Sequence, residues 1–163
     1  ASLTVAPARG LLLNASAVYL DTEYGTFGSG GYGAIVLGPA GNATVYIDPK
    51  GNRLQRAPKW TVALGADYSH EFGDSSKLHA GIKARYTGSY YWDPSNFFAQ
   101  SSYWTINGSL SYTLPNHPIK VTAWVNNLTN QYYNVLLNPN SFGVNVFDAA
   151  PRMYGVTLSW SLR

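Results

Sequence analysis

Three histidines, His70, His79 and His117, are the side chains best suited to proton transfer or metal binding, yet no pair has the spacing of a metal site on one element. They read as solvated or structural groups. Asp21 with Glu23, and Glu71 with Asp74, are acidic pairs near strand ends, where solvated charges are expected rather than acid/base couples. The run Gly28-Ser29-Gly30-Gly31-Tyr32-Gly33 resembles a phosphate-cradling loop only in its glycines. It lacks the following helix, the Lys and the Thr that phosphate chemistry needs, so a flexible outer loop is expected. With no cysteine, disulfides and thiolate metal sites are excluded. No catalytic residue, no metal site and no cofactor is expected, and the chain does not read as an enzyme.

What remains is binding. One Gly-, Asn- and Pro-rich stretch offers Tyr24, Phe27, Tyr32, Tyr46, Arg53 and Arg56, and a second offers Tyr91, Trp92, Phe97 and Phe98. Aromatic faces with guanidinium groups suit an anionic, aromatic metal chelate, through stacking and charge. Packing within the loops, or a place in an aromatic girdle, is the competing role for the same tyrosines.

Composition narrows the scaffold that must hold these residues. The 163 residues are 45% hydrophobic but only 12% charged, against about 25% charge in an ordinary soluble domain. Aromatics reach 15% and Gly numbers 16, a mixture that favours strands and tight turns. The mean hydropathy of -0.14 is what strands with one apolar and one polar face average to. A net charge of +3 with scattered Lys and Arg argues against nucleic-acid binding, which clusters basic residues on one face. No apolar run approaches the roughly 20 residues of a transmembrane helix. Ala1 to Gly10 lacks the basic start and apolar core of a signal peptide, so an exported protein of this kind is expected to be a piece of a longer chain.

Strict two-residue alternation then picks out strands. Trp60, Val62, Leu64, Ala66 and Tyr68 alternate with Thr61, Ala63, Gly65, Asp67 and Ser69. Leu78, Ala80, Ile82, Ala84 and Tyr86 alternate with His79, Gly81, Lys83, Arg85 and Thr87, every charge falling on one side. Trp104 to Leu114 and Tyr154 to Leu162 repeat the pattern. Each segment reads as a strand with one face in an apolar medium and the other in a polar one. Lys83 and Arg85 would then face a lumen, and whatever fills it. Two weaker members run from Leu11 to Glu23 and from Ile119 to about Tyr132. In the latter, Val121, Ala123 and Val125 point outward, which turns Trp124 inward unless a bulge slips the register.

Connections alternate in length. Gly73 to Ser76 and Pro115 to Pro118 are tight turns, whereas Tyr24 to Gln55, Tyr91 to Ser102 and Tyr133 to Pro151 are long. Short turns at one rim and long loops at the other define outer-membrane barrels, with the turns in the periplasm. Trp60 with Tyr68, Trp104 with Tyr112, and Tyr154 with Trp160 supply aromatics at both ends of the outward face. Eight residues along a tilted strand span roughly 20 Å, close to the apolar band. A soluble sandwich would have short turns at both ends and no matched aromatic heights. The fold expected is all-β: an antiparallel transmembrane β-barrel segment of about six strands.

The stretches Arg56-Ala57-Pro58-Lys59-Trp60-Thr61, Val125-Asn126-Asn127-Leu128-Thr129-Asn130-Gln131-Tyr132-Tyr133 and Pro151-Arg152-Met153-Tyr154-Gly155-Val156-Thr157-Leu158-Ser159-Trp160 together resemble TonB-dependent receptors, in the order and at the spacings of that family's barrel terminus. The resemblance covers nearly the whole chain from Leu11 onward. It departs at the end, where members usually finish on an aromatic residue and this chain continues Ser161-Leu162-Arg163. It implies that residues 1–163 are the C-terminal portion, the last six or so strands, of a 22-stranded barrel, with the plug domain and the earlier strands lying outside this sequence. It further implies a Gram-negative outer-membrane location and uptake of a scarce nutrient, a ferric siderophore above all. The implied partners are outer-membrane lipid, the remaining strands, the plug and the TonB complex. A structural or adhesive barrel and a passive porin are the alternatives. Six strands are too few to close even a small barrel of about eight, so transport cannot be this segment's independent activity.

Overall fold

Alternation becomes pairing in the computed structural model, which describes residues 1–26, 28, 30–39 and 41–161. Phe27 of the first loop, Ser29 of the Gly-rich run and Leu162 of the last strand's apolar face lie outside the described residues. The main sheet contains β1 (Ser2–Ala8), β2 (Leu11–Tyr19), β5 (Trp60–Glu71), β6 (Lys77–Thr87), β9 (Tyr103–Thr113), β10 (Ile119–Asn126) and β13 (Met153–Trp160). Three two-stranded hairpins account for the other strands: β3 (Tyr32–Val36) with β4 (Ala43–Ile47), β7 (Tyr90–Tyr91) with β8 (Ala99–Gln100), and β11 (Asn134–Asn140) with β12 (Gly143–Asp148). The main sheet is an antiparallel meander in the order β1-β2-β5-β6-β9-β10-β13 and is open at both edges.

The sheet has seven strands, one more than the periodicity picks out. Pro7 hides β1 from the pattern. It has no backbone N–H to donate, and the β1–β2 register shifts between Val5 and Ala8. The edge position of β1 tolerates both, since only one of its sides is paired. Arg9 and Gly10 then turn the chain. Gly10 has φ 79°, and a side chain there would collide with the Ser69 carbonyl, so only glycine fits.

Registers between the long strands are continuous, with Thr61↔Thr87 through Glu71↔Lys77 and Lys77↔Thr113 through Thr87↔Tyr103. The same holds from Ile119↔Trp160 through Asn126↔Met153. Trp124 therefore truly faces inward, with no bulge. Its indole lies across Gly155, where a Cβ would come within 2.7 Å of the ring, and its Nε1 donates to Thr157 Oγ1 at 3.2 Å. β10 ends earlier than the apolar pattern, at Asn126, because Asn127 (φ 52°) and Asn130 (φ 53°) take left-handed conformations. The Asn127 side chain accepts from Gln131 N and donates to the Gln131 and Ala150 carbonyls, closing that turn. Asn130 Oδ1 accepts from Arg152 N at 2.8 Å, which ties the turn to the start of β13.

Burial is inverted relative to a water-soluble protein. Among the described residues the buried apolar side chains are Ala34, Pro49, Ala57, Tyr90, Trp92 and Pro94, all in or beside the loops, while Ser111 and Thr87 are buried on the strands. Leu64, Ile82, Leu110 and Leu158 point outward and stay exposed, with Val156 at 72%. A large apolar surface with no protein core behind it is a lipid-facing surface. Girdle aromatics pair across strands at its upper rim, Tyr19 with Trp60 at 4.8 Å and Tyr86 with Trp104 at 5.3 Å. At the lower rim His70 stacks on Tyr68 and meets Phe72 edge-on. The opposite face is polar: Ser111 Oγ and Thr122 Oγ1 lie 2.9 Å apart, and Ser69 Oγ lies 3.0 Å from His79 Nδ1. Two short turns at the lower rim are sealed locally. Asp74 Oδ1 accepts from Ser76 N and Oγ, bonds that hold the Asp74 carboxyl below its usual range, and Leu114 N donates to the Ile119 carbonyl.

Placing Lys at Ile82, mid-strand on the lipid face, is expected to destabilise the complete barrel by about 2–4 kcal/mol, measured by urea unfolding in phospholipid vesicles. Lys in place of Ser16, exposed on the inward face of β2, should change the midpoint far less. Equal losses at both positions would refute the assignment of faces.

Candidate functional site

Loop chemistry starts from backbone constraint. Arg56 sits in the left-handed region (φ 55°), and its N–H donates to the Tyr91 carbonyl at 2.7 Å, joining the first long connection to the second. That bond fixes where its side chain starts, and the guanidinium lies 5.2 Å from the Trp92 ring centroid, within cation–π range. Arg53 is different. Its guanidinium lies 5.7 Å from the Tyr91 ring, and its Nη2 donates to the carbonyls of Ala57 (3.2 Å) and Ser89 (3.1 Å). Arg53 staples the loops, whereas among the described residues no acceptor meets the Arg56 or Arg85 guanidinium.

The second loop is built around Asp93, which is 4% exposed. Its carboxylate accepts from Ser95 N, Ser95 Oγ and Phe98 N, so a buried negative charge is fully engaged in holding residues 93–98. Tyr90 packs edge-on to Trp92 at 5.2 Å. Tyr103, at the top of β9, stacks on Tyr133 with centroids 4.2 Å apart and planes 12° apart. Trp92 Nε1 is buried and has no hydrogen-bond partner.

Two adjoining clefts result. One, of about 360 Å³, is lined by Arg56, Arg85, Tyr90, Trp92, Tyr103 and Tyr133 among others. The other, of about 330 Å³, is bounded by Tyr32, Arg56, Trp92 and Asp93 together with Leu136 to Pro139 of β11. Arg56 and Trp92 belong to both. Burial, then the neighbouring Tyr103, pushes the Tyr90 phenol up to about 12, with Arg56 opposing. Burial followed by Tyr103 raises Tyr133, and burial, Asp93 and Tyr24 raise Tyr32. These phenols therefore stay protonated at neutral pH and act as donors, so the clefts combine two guanidiniums, neutral phenols and the ring of Trp92.

Of the residues singled out from sequence, Tyr32, Arg56 and Trp92 come together, and Arg85 joins them from the inward face of β6. Tyr24 is placed by backbone hydrogen bonds with Gly51 and Asn52 and lies near enough to Tyr32 to influence its ionisation. Tyr46 is 74% exposed on β4, opposite Gly33, and Phe97 packs on Phe98 at the tip of the second loop; none of these three lines either cleft. Lys83 stays exposed on the inward face, between Gly65 and Asn107. Composition alone missed Tyr90, Tyr103 and Tyr133. Tyr103 was detectable from its parity with Trp104, since neighbours on a strand face opposite sides.

A lipid-facing meander with turns at one rim, loops at the other and a cationic aromatic cleft under the loops defines a segment of an outer-membrane receptor barrel. The family described as "TonB dependent receptor-like, beta-barrel" matches residues 6–128, and the chain belongs to that family. Over 87 residues it is 38% identical to the ferrichrome outer membrane transporter/phage receptor of Escherichia coli K12, covering 52% of this chain and 12% of that protein. The ferric yersiniabactin uptake receptor of Yersinia pestis superposes with a TM-score of 0.71 at 15% identity, over 95% of this chain and 22% of the receptor. The ferric preacinetobactin receptor of Acinetobacter baumannii gives 0.70 at 21% identity, over 98% and 21%. The chain thus spans about a fifth of the length of these structures, and at such identities the likeness establishes the fold.

The Tyr90 phenol should titrate near pH 12 rather than near 10. Because its proton is held more tightly in the folded state, its stabilising contribution is complete below pH 10 and is lost as the pH rises toward about 12. Ultraviolet titration of phenolate absorbance in the complete receptor checks this, and Tyr90→Phe should remove the latest step. An unchanged titration in that variant would contradict the assignment.

Proposed function

We propose that this chain is the closing portion of the barrel of an outer-membrane receptor that binds a ferric siderophore and imports it with energy delivered by the TonB complex. The observation that carries the reading is the pair of acceptor-free guanidiniums, Arg56 and Arg85, set among protonated phenols beneath the long loops. Siderophore complexes present anionic or oxygen-rich surfaces around the iron, and rigid donors that have no protein acceptor gain the full interaction when such a ligand arrives. The relatives named for ferrichrome, ferric yersiniabactin and ferric preacinetobactin support the ligand class. In this reading the outward apolar face meets outer-membrane lipid, the two open edges pair with the remaining strands, and the inward face meets the plug. Lys83 and Arg85 lie on that inward wall, with Arg85 shared between wall and cleft. Tyr24 and Tyr32 flank the entrance, while Tyr46, Phe97 and Phe98 make the first encounter with ligand from the exposed loops.

Titration of the full-length receptor with a panel of ferric siderophores, followed by tryptophan fluorescence, tests the proposal. One member of the panel should quench saturably. Arg56→Ala and Arg85→Ala should each weaken its binding about 10- to 100-fold, the equivalent of losing about 1.5–3 kcal/mol from a charged hydrogen bond. Absence of quenching by every ferric chelate, with passive solute flux through the reconstituted protein, would overturn it in favour of a porin.

A further inference from the structure

Below the clefts the inward wall differs from strand to strand. The inward row of β9, from Tyr103 to Thr113, is neutral throughout, and that of β5 is neutral from Thr61 to Gly65 before it turns acidic at Asp67 and Glu71. On β6 the same row reads Arg85, Lys83, Gly81, His79 and Lys77 in descending order, with steps of about 6.6 Å between successive members. Among the described residues of the main sheet, only β6 carries cations inward at mid-height and above.

The row is unevenly partnered. Among the described residues no carboxylate lies within ion-pair distance of Arg85 or Lys83, whereas His79 Nε2 lies 3.7 Å from Asp67 and Lys77 Nζ lies 3.3 Å from Glu71. Asp67 also reaches across Gly81, where a Cβ would stand 3.0 Å from its Oδ1. A carboxylate therefore occupies the step directly below Lys83. Lys83 itself is exposed, paired on one side with Gly65, which raises no side chain beside it.

Unpartnered cations on a low-dielectric wall concentrate anions along it. Passage through a protein further requires sites attractive enough to be entered and weak or numerous enough to be left. Arg56 and Arg85 in the cleft, Lys83 one step below and Asp67 beneath it have that form: two stations of attraction followed by a repulsive charge.

We propose that Lys83 is a second anion station on the import path, which takes the anionic arm of a ferric chelate from Arg56 and Arg85 and passes it down the barrel wall beside β6, so that the imported cargo is a chelate of net negative charge. The inference rests on the siderophore reading above and adds to it the charge class of the cargo and the wall along which it moves. Asp67 ends the track, because its carboxylate repels the arm and the cations further down already have partners of their own.

The test separates import from binding in the full-length receptor, carried by cells whose other ferric uptake routes are deleted. The probes are radioiron complexes of anionic carboxylate and catecholate chelators and of a neutral hydroxamate. An anionic complex should be imported, and Lys83→Gln should slow its import about tenfold or more, the loss of one charged hydrogen bond, while binding to de-energised cells and the unfolding midpoint of the receptor stay unchanged. Lys83→Arg should keep most of the rate. Undiminished import by Lys83→Gln overturns the proposal and leaves the receptor reading standing, as does import confined to the neutral complex. Slowed import with a lowered midpoint makes Lys83 a structural strut, and an equal loss of binding and import places it in the loop site; either result also defeats the track. If the unaltered receptor imports none of the complexes, the siderophore reading itself falls and this inference falls with it.

Discussion

Every strand of the main sheet is governed by one requirement: in hydrocarbon no water is available for an unpaired backbone N–H or carbonyl, each of which costs several kcal/mol. The continuous antiparallel registers from β5 through β13 satisfy that demand across the whole apolar band. Once pairing is fixed, the parity of each strand fixes which side chains meet lipid and which meet the lumen. A shift of a single residue on β6 would carry Lys83 and Arg85 into the bilayer and Ile82 and Ala84 into the lumen. Trp124 shows how tightly the two demands are coupled, since a large indole is accommodated inward only where the facing strand supplies Gly155.

Above the bilayer the constraint relaxes and side chains take over its role. The three long connections hold one another through polar groups: Asn52 Nδ2 donates to the Pro94 carbonyl, Asn42 Nδ2 to the Asn140 carbonyl, and Asn134 N to Gln100 Oε1. Each pair of loops is joined by at least one such bond. With the Arg56 N–H on Tyr91 and Arg53 on Ser89, these bonds hold the loops in one arrangement, so the clefts beneath them are shaped before any ligand arrives.

The sheet was largely legible in the sequence because alternation, aromatic heights and loop lengths are all set by the bilayer, a medium whose thickness and polarity do not vary from residue to residue. β1 escaped because Pro7 and its bulge break the period. The loop hairpins escaped because strands such as Tyr90–Tyr91 are too short to show any period. The clefts were only half legible. Arg53 and Arg56 are the same residue type three positions apart, and only their surroundings separate them: two carbonyls for the first and an open aromatic face for the second. Tyr90, Tyr103 and Tyr133 reach one place from three different segments, a convergence that no local spacing encodes.

The hairpin folded within each long connection has a consequence for how such a surface can change. β3–β4, β7–β8 and β11–β12 each close their own backbone hydrogen bonds, and each springs from two neighbouring strands of the main sheet. A loop of this kind behaves as a detachable head on a fixed stem. Its outer residues, Phe142 and Tyr46 among them, can be exchanged or lengthened without altering a single register in the bilayer, while Arg56 and Trp92, lower down, keep the geometry beneath.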